Sequence, residues 1–345
     1  MLKAVILFTV GLLCLIFGGD WFVDGSTGIA KKFHIPEILI GATIVSIGTT
    51  LPEVMVSATG ALQGHSQIAY GNAIGSCICN VALIAAITLS VAPSNSVDTK
   101  ALRIPAVFFF AAALIYAIVS YTTGYFSRML GIVLLCIFAI YISLQIKDAL
   151  SIKKSDSDLA NEGDEEEKPL GRNIISLVVG AVLIAAGANL LVDNGTIIAQ
   201  GLGVPESVIA LTFVALGTSL PEFVTAITSL IKGHGLLSLG NIIGANLFNL
   251  VLVSGLSIAL SPFNVPADKL IFGMNAALVV DIPLMLMVML IMLLPAFIKK
   301  RLYRWQGIVL LCLYAAYTVF QFAFYGDLKN FLKISFEAQI WPKSG

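Results

Sequence analysis

Charge is what this chain lacks. Asp, Glu, Lys and Arg make up 12% of its 345 residues, about half the share found in soluble domains, which excludes an ordinary soluble fold. Ten-residue segments of alternating polarity, the mark of a membrane-spanning β-barrel, are missing too. No Ser-His-Asp set, zinc-ligand spacing or nucleotide-binding loop occurs, and nothing points to nucleic acid. The five cysteines (Cys14, Cys77, Cys79, Cys136 and Cys312) all fall in apolar runs and read as buried small residues, not as disulfides. No small-residue cleavage site follows the first apolar run, so residues 1–28 are expected to stay in the mature chain.

What is present is apolar sequence, 58% of the chain. It falls into ten runs separated by short polar joints: 2–28, 37–63, 66–92, 103–122, 128–147, 172–198, 206–232, 235–261, 270–295 and 304–325. Runs of about 20 residues cross a bilayer core as helices, so the expected fold is an all-α polytopic membrane protein with ten transmembrane helices. With the N-terminus outside, 14 of the Lys and Arg residues fall on the inner side and 6 on the outer. The positive-inside rule then puts both termini outside the cytoplasm. The 148–171 connection, with its run SDSDLANEGDEEEK, becomes a cytoplasmic acidic linker. It is short and poor in apolar residues, which suits a solvated linker better than a calcium-sensing loop. Residues 327–345 form a C-terminal tail.

The two halves are copies. Residues 18–83 slide onto 187–252 at an offset of 169 without a gap, and roughly 25 of 66 positions are identical. GGDWFVDGSTGIA faces GANLLVDNGTIIA, and Ile35-Pro36-Glu37 faces Val204-Pro205-Glu206. At an offset of 176 the match resumes, with Arg128, GIVLLC (131–136) and Tyr141 facing Arg304, GIVLLC (307–312) and Tyr317. The first repeat covers 1–147 and the second 172–326, five helices each. Five is odd, so the second copy enters the membrane from the opposite side. The architecture expected is two inverted five-helix repeats with a substrate site at their interface, as in many secondary transporters.

Two motif pairs carry the chemistry. Gly48-Thr49-Thr50-Leu51-Pro52-Glu53 recurs as Gly217-Thr218-Ser219-Leu220-Pro221-Glu222. Proline cannot donate to the helix ladder and clashes one turn back, so helices 2 and 7 are expected to break here. The break would free carbonyls near Ser46 and Ala215 beside hydroxyls and a carboxylate. Such an all-oxygen set suits Na⁺ or Ca²⁺, not zinc or copper. A carboxylate inside a span is costly and marks function by default, and a matched pair, Glu53 with Glu222, would put about −2 into one cavity. The second pair is GNAIGSCICN (71–80) and GNIIGANLFN (240–249). Its glycines allow close helix approach. Asn72 and Asn241 are candidates to cap the broken turn. Asn80 and Asn249 lie two turns further along one face, as neutral cation ligands or as interhelical hydrogen-bonding residues. Ser76 adds a hydroxyl where the second copy has Ala245.

Other residues are read structurally. Asp281 lies within the ninth span with no acidic counterpart, and hydrogen bonding to a neighbouring helix competes there with a coupling proton site. Asp24 and Asp193 match each other and orient structure. His65 and His234 match as loop residues.

At these residues the chain resembles the Ca²⁺/cation antiporter superfamily, specifically its prokaryotic sodium/calcium exchanger branch. Both repeats of that branch carry a G-T/S-S/T-x-P-E motif and a G-N-x-x-G-S/A-N-type motif. The resemblance implies alternating access in a prokaryotic inner (plasma) membrane, with Na⁺ entry driving Ca²⁺ extrusion. It implies no enzyme activity and no bound cofactor; Ca²⁺ and Na⁺ are cargo, the lipid bilayer is the surrounding partner, and no obligate protein partner follows. The ligands it implies are the carboxylates of Glu53 and Glu222 and the hydroxyls of Thr49, Thr218, Thr50, Ser219 and Ser76. To these it adds the carbonyls of Ser46 and Ala215 and the amides of Asn80 and Asn249. Ala245 departs from the family's serine and Asn249 from its aspartate. The second departure fixes the site charge at −2, which balances one Ca²⁺ or two Na⁺. GNAIGS lacks the acidic residue of the proton-coupled branch, which favours Na⁺. The alternatives are exchange of H⁺ for Ca²⁺ or another divalent cation, a cation channel, and, least, an intramembrane enzyme.

Overall fold

Long apolar runs become helices because a bilayer offers no partner for backbone N–H and C=O groups, which must pair within the segment. The computed structural model describes residues 1–94, 97, 99–156, 169–202, 217–267, 270–271 and 273–324. In them, eight helices are long and apolar enough to cross a membrane. They are α1 (Leu2–Phe33), α2 (Glu37–Leu62), α3 (Ser66–Val91), α4 (Thr99–Thr122), α5 (Arg128–Asp156), α6 (Leu170–Gly201), α8 (Gly235–Leu260) and α9 (Ala277–Lys299). Two further helices are α7 (Leu220–Ile231) and α10 (Arg304–Phe324). The protein is a multi-pass, all-helical membrane protein. The expected Val204-Pro205-Glu206 match, the Ala215 carbonyl, the middle of the acidic linker and the C-terminal tail lie outside the described residues.

Helix α8 sits at the centre, with 83% of its best apolar window buried, against 22% for α6. Helices α2 and α3 pack around it, and α1 and α6 flank this core as an antiparallel pair. Their seam is made by glycines. A Cβ on Gly11 would stand 2.9 Å from the Gly187 carbonyl, and one on Gly187 would stand 2.8 Å from the Gly11 carbonyl. Only glycine permits backbones to approach this closely.

The expected break in helix 2 is not at the proline. Ser46–Leu62 runs as α-helix through Pro52, and the irregular turn lies upstream, as a π-turn over Gly41–Val45. The Ser46 hydroxyl donates to the Gly41 carbonyl at 2.7 Å, satisfying the loosened turn. In the second copy, α7 begins at Leu220 with Pro221 in its first turn, where no N–H is required. The same motif is thus helix interior in one half and helix start in the other. Further π-turns begin at Asn80 (Asn80–Ala85) and at its repeat partner Asn249 (Asn249–Val253).

Contacts cross between the halves in matched pairs. Arg128 donates to the Leu260 carbonyl at 3.4 Å, and Arg304 donates to the Val91 carbonyl at 3.1 Å. Arg128 and Arg304 are repeat partners, as are Val91 and Leu260. A two-residue strand, β1 (Tyr125–Phe126), pairs antiparallel with β2 (Phe263–Asn264), joining one end of the bundle across the halves. All five cysteines are free; Cys77 and Cys79 are buried as expected, whereas Cys136 and Cys312 are exposed on α5 and α10. An apolar run has an outward face as well as an inward one, and in a bilayer both are apolar.

Candidate cation site

Helical spacing collects the first motif on one face. Ser46, Thr49, Thr50 and Glu53 recur at three- and four-residue steps along α2, and all four are buried. In the second copy the same role falls to Glu222 in the first turn of α7 and to Ser219 at its N-cap, both buried, with Thr218 just before. Ser76 and Asn80 of α3, and Asn249 of α8, are buried as well.

The halves interlock here. Thr49 donates to Asn241 Oδ1 at 3.3 Å, and its repeat partner Thr218 donates to Asn72 Oδ1 at 2.9 Å. Asn241 also takes the Ser46 hydroxyl, on its backbone carbonyl at 3.0 Å. Asn72 gives its amide to the Glu53 carbonyl at 3.2 Å and to Ser57 Oγ at 2.8 Å. Neither asparagine caps a broken turn; each fastens the hydroxyl motif of the opposite half. Thr50 reaches Glu222 Oε1 at 3.4 Å, and Ser219 reaches Ser76 Oγ at 3.3 Å.

Several of these buried groups are unsatisfied. Both Glu53 oxygens, Glu222 Oε2, and both amide atoms of Asn80 and of Asn249 have no hydrogen-bond partner. Buried polar atoms in native proteins are nearly always paired, so a set of orphaned oxygens around two carboxylates fits a cationic cargo. The set is carboxylate, hydroxyl and amide oxygen. Among the described residues no three His, Cys, Asp or Glu side chains cluster as a metal centre. Hard cations match this chemistry.

A cavity of about 480 Å³ leads in from one side, lined by Asn72, Ser76 and Thr218 and by both motif prolines, Pro52 and Pro221. It reaches the hydroxyl and amide layer without touching Glu53 or Glu222. Two hydroxyls not foreseen lie beyond Glu222 on the same helical face: Thr225 and Ser229, buried and unpartnered. Their spacing of three and seven residues from Glu222 was the available signal. Among the singletons, Asp281 accepts from Tyr317 of α10 at 3.1 Å, the neighbouring-helix reading. His234 does more than occupy a loop, since its Nδ1 lies 2.7 Å from Glu37 Oε1. Asp24 pairs with Lys232 at 2.7 Å.

A sequence profile described as "Sodium/calcium exchanger protein" matches residues 3–147 and 172–323. The chain belongs to the sodium/calcium exchanger family. Among its relatives is the sodium/calcium exchanger MaX1 of Methanosarcina acetivorans, 30% identical over 92% of this chain and 98% of the relative. An uncharacterized membrane protein of Methanocaldococcus jannaschii is 32% identical over 89% of this chain and 94% of its own. Among solved structures, the sodium-calcium exchanger NCX_Mj soaked with Na⁺ and Sr²⁺ superimposes with a TM-score of 0.76. That structure is 31% identical and covers 91% of this chain and 97% of the exchanger. As a member of this family, the protein is a multi-pass membrane exchanger of the cation/Ca²⁺ class.

Proposed function

We propose that this exchanger-family protein is a secondary antiporter that moves Ca²⁺ against Na⁺ by alternating access, the two ions competing for one oxygen site between Glu53 and Glu222. The observation that carries this reading is the pair of crossed hydrogen bonds, Thr49 to Asn241 and Thr218 to Asn72, framing two buried carboxyls with unpartnered oxygens. Two hydrogen bonds related to each other by the repeat support two inverted five-helix repeats, ten transmembrane helices in all, and a site on their interface. Ligation falls to the carboxylates of Glu53 and Glu222, with Thr49, Thr50, Thr218, Ser219 and Ser76 supplying hydroxyls and Asn80 and Asn249 supplying amide oxygens. The carbonyls of Ser46 and Ala215 complete the set. Competition for one cage is what couples the fluxes, since a carboxyl pair that holds Ca²⁺ cannot hold Na⁺ at the same time.

The solved structures of NCX_Mj, soaked with Na⁺, Ca²⁺ and Sr²⁺, lend support from a relative that matches nearly end to end. Its prokaryotic relatives support a prokaryotic plasma membrane as its location, and the distribution of Lys and Arg supports both termini outside. The test is ⁴⁵Ca²⁺ uptake into proteoliposomes. Uptake driven by an outward Na⁺ gradient is expected. Uptake that needs only a pH gradient would replace Na⁺ by H⁺, and uptake indifferent to any counter-ion would make the protein a channel.

A further inference from the structure

The repeat relates two stretches whose surroundings are opposite. On α6, Ala188, Asn189, Val192 and Asp193 line the 480 Å³ cavity. Their partners on α1, at an offset of 169, are Gly19, Asp20, Val23 and Asp24, and this face lies against the end of α7. A Cβ on Gly19 would stand 2.7 Å from Thr228 Oγ1 and 2.8 Å from Val224. One turn further, Lys232 Nζ lies 2.7 Å from Asp24 Oδ1 and 3.2 Å from Asp20 Oδ1, and also reaches the Asp20 carbonyl at 3.1 Å.

The two places lie at opposite ends of the α1–α6 pair. Gly25 of α1 meets Leu177 of α6, sixteen residues and about 24 Å of helix from Asp193. The face of α6 is therefore open to the cavity at one end, whereas the matching face of α1 at the other end is covered by α7 and carries a lysine between two aspartates. The repeat partner of Lys232 is Gln63, and that of Asp20 is Asn189. The open end has no equivalent of this ionic tie. Met55, partner of the packed Val224, is 66% exposed.

We propose that Lys232 is a positioning residue that, by bridging Asp20 and Asp24, holds the α1–α7 end closed and tilts the exchanger toward the state open at the Asp193 end. The inference rests on the alternating-access reading above. Sequence symmetry alone would make the two states nearly equal in energy; a charge tie present at one end only makes them unequal. All three side chains are partly exposed, 25% for Lys232, 49% for Asp20 and 42% for Asp24, so the bias is modest.

The experiment is Ca²⁺ half-saturation measured separately on each membrane face, in right-side-out and inverted vesicles. The variants are Lys232→Gln, which installs the residue found at position 63, Lys232→Arg, and Asp20→Asn with Asp24→Asn. Releasing the tie is expected to lower half-saturation on the Lys232 face and raise it on the cavity face, changing their ratio about five-fold, the scale of one exposed ion pair. Lys232→Arg should keep the parent ratio, which shows that charge and not mere packing is responsible. An unchanged ratio in Lys232→Gln, or half-saturations that move in the same direction on both faces, overturns the proposal. Counter-ion dependence of uptake in the parent protein reports on the exchange reading independently. If that dependence is absent, alternating access fails and the proposal fails with it; if it is present and the ratio is unmoved, only the tie is refuted.

Discussion

Cys77 and Asn246 hold each other across the centre of the molecule. Asn246 Nδ2 donates to the Cys77 carbonyl at 3.0 Å, and Cys77 Sγ donates to the Asn246 carbonyl at 3.4 Å. They are 169 residues apart, so each is the other's repeat partner. A residue that touches its own counterpart marks where the two halves meet, and Ser76, next to Cys77, already belongs to the site.

Glu53→Gln and Glu222→Gln should each lower Ca²⁺ transport by at least about two orders of magnitude, because a divalent ion in a dry site loses half of its formal countercharge. Purified protein should keep its melting temperature or gain stability, since a buried charge is removed. Full uptake by either variant in the proteoliposome assay would remove that carboxyl from the site.

Asn241→Ala removes the nearer acceptor of Thr49, leaving it only the Ser46 carbonyl at the long distance of 3.5 Å, and one acceptor of Ser46. Leaving a buried hydroxyl unpaired costs about 1–3 kcal/mol. The expected result is a lower melting temperature together with weaker Ca²⁺ competition. Asn241→Asp keeps the acceptor but adds a third buried carboxylate; it should restore neither the parent stability nor the parent ion preference, as read by melting temperature and by Na⁺ inhibition of ⁴⁵Ca²⁺ uptake.

Gly11→Leu should abolish the folded protein, judged by monodisperse elution in detergent. Its side chain would enter the space held by the Gly187 carbonyl and Leu190. Gly171→Leu, at a helix end with nothing within 4 Å of its Cβ position, should elute like the parent.

The ionic tie at Lys232 should respond to salt and not to pH near neutrality. Partial burial draws the amine's pKa down, but hydrogen bonds and charge from Asp24 and Asp20 outweigh this and raise it above its ordinary 10.5. A raised lysine pKa means the pairing is complete below the ordinary value and is lost only as pH rises through the raised one. The ratio of half-saturations on the two faces should therefore hold between about pH 6 and 9 as far as this amine is concerned. Raising choline chloride from about 0.01 to 1 M shortens the screening length from about 30 to 3 Å and should shift the ratio in the direction of Lys232→Gln.

Much of this was legible without coordinates because membrane helices write their length and repeat directly into hydropathy. The register of 169 matched Thr49 with Thr218 and Asn72 with Asn241, and the structure fastens them crosswise, Thr49 to Asn241 and Thr218 to Asn72. What sequence could not show was the partner across the interface. Proline at position 52 signalled a break, yet the helix tolerates it because the looser turn lies upstream at Gly41–Val45. The same dipeptide at Leu220-Pro221 opens a helix, a difference made by the chain around it. Lys232 lay in a joint and read only as one of fourteen inner-side cations; its meaning came from Asp20 and Asp24, more than two hundred residues away.

The π-turns at Asn80 and Asn249 fit one residue too many into a helical turn. Below each asparagine a stripe of polar side chains looks toward the partner half; above it, every side chain is rotated by about 100° relative to a regular helix. Helices α3 and α8 change phase at the same repeat position, so each presents its face before the asparagine at a different angle from its face after it. Deleting Val81 or Leu250 would restore regular phase and turn everything beyond the asparagine, Thr88 on α3 or Ser254 and Ser257 on α8, relative to the face that carries the site.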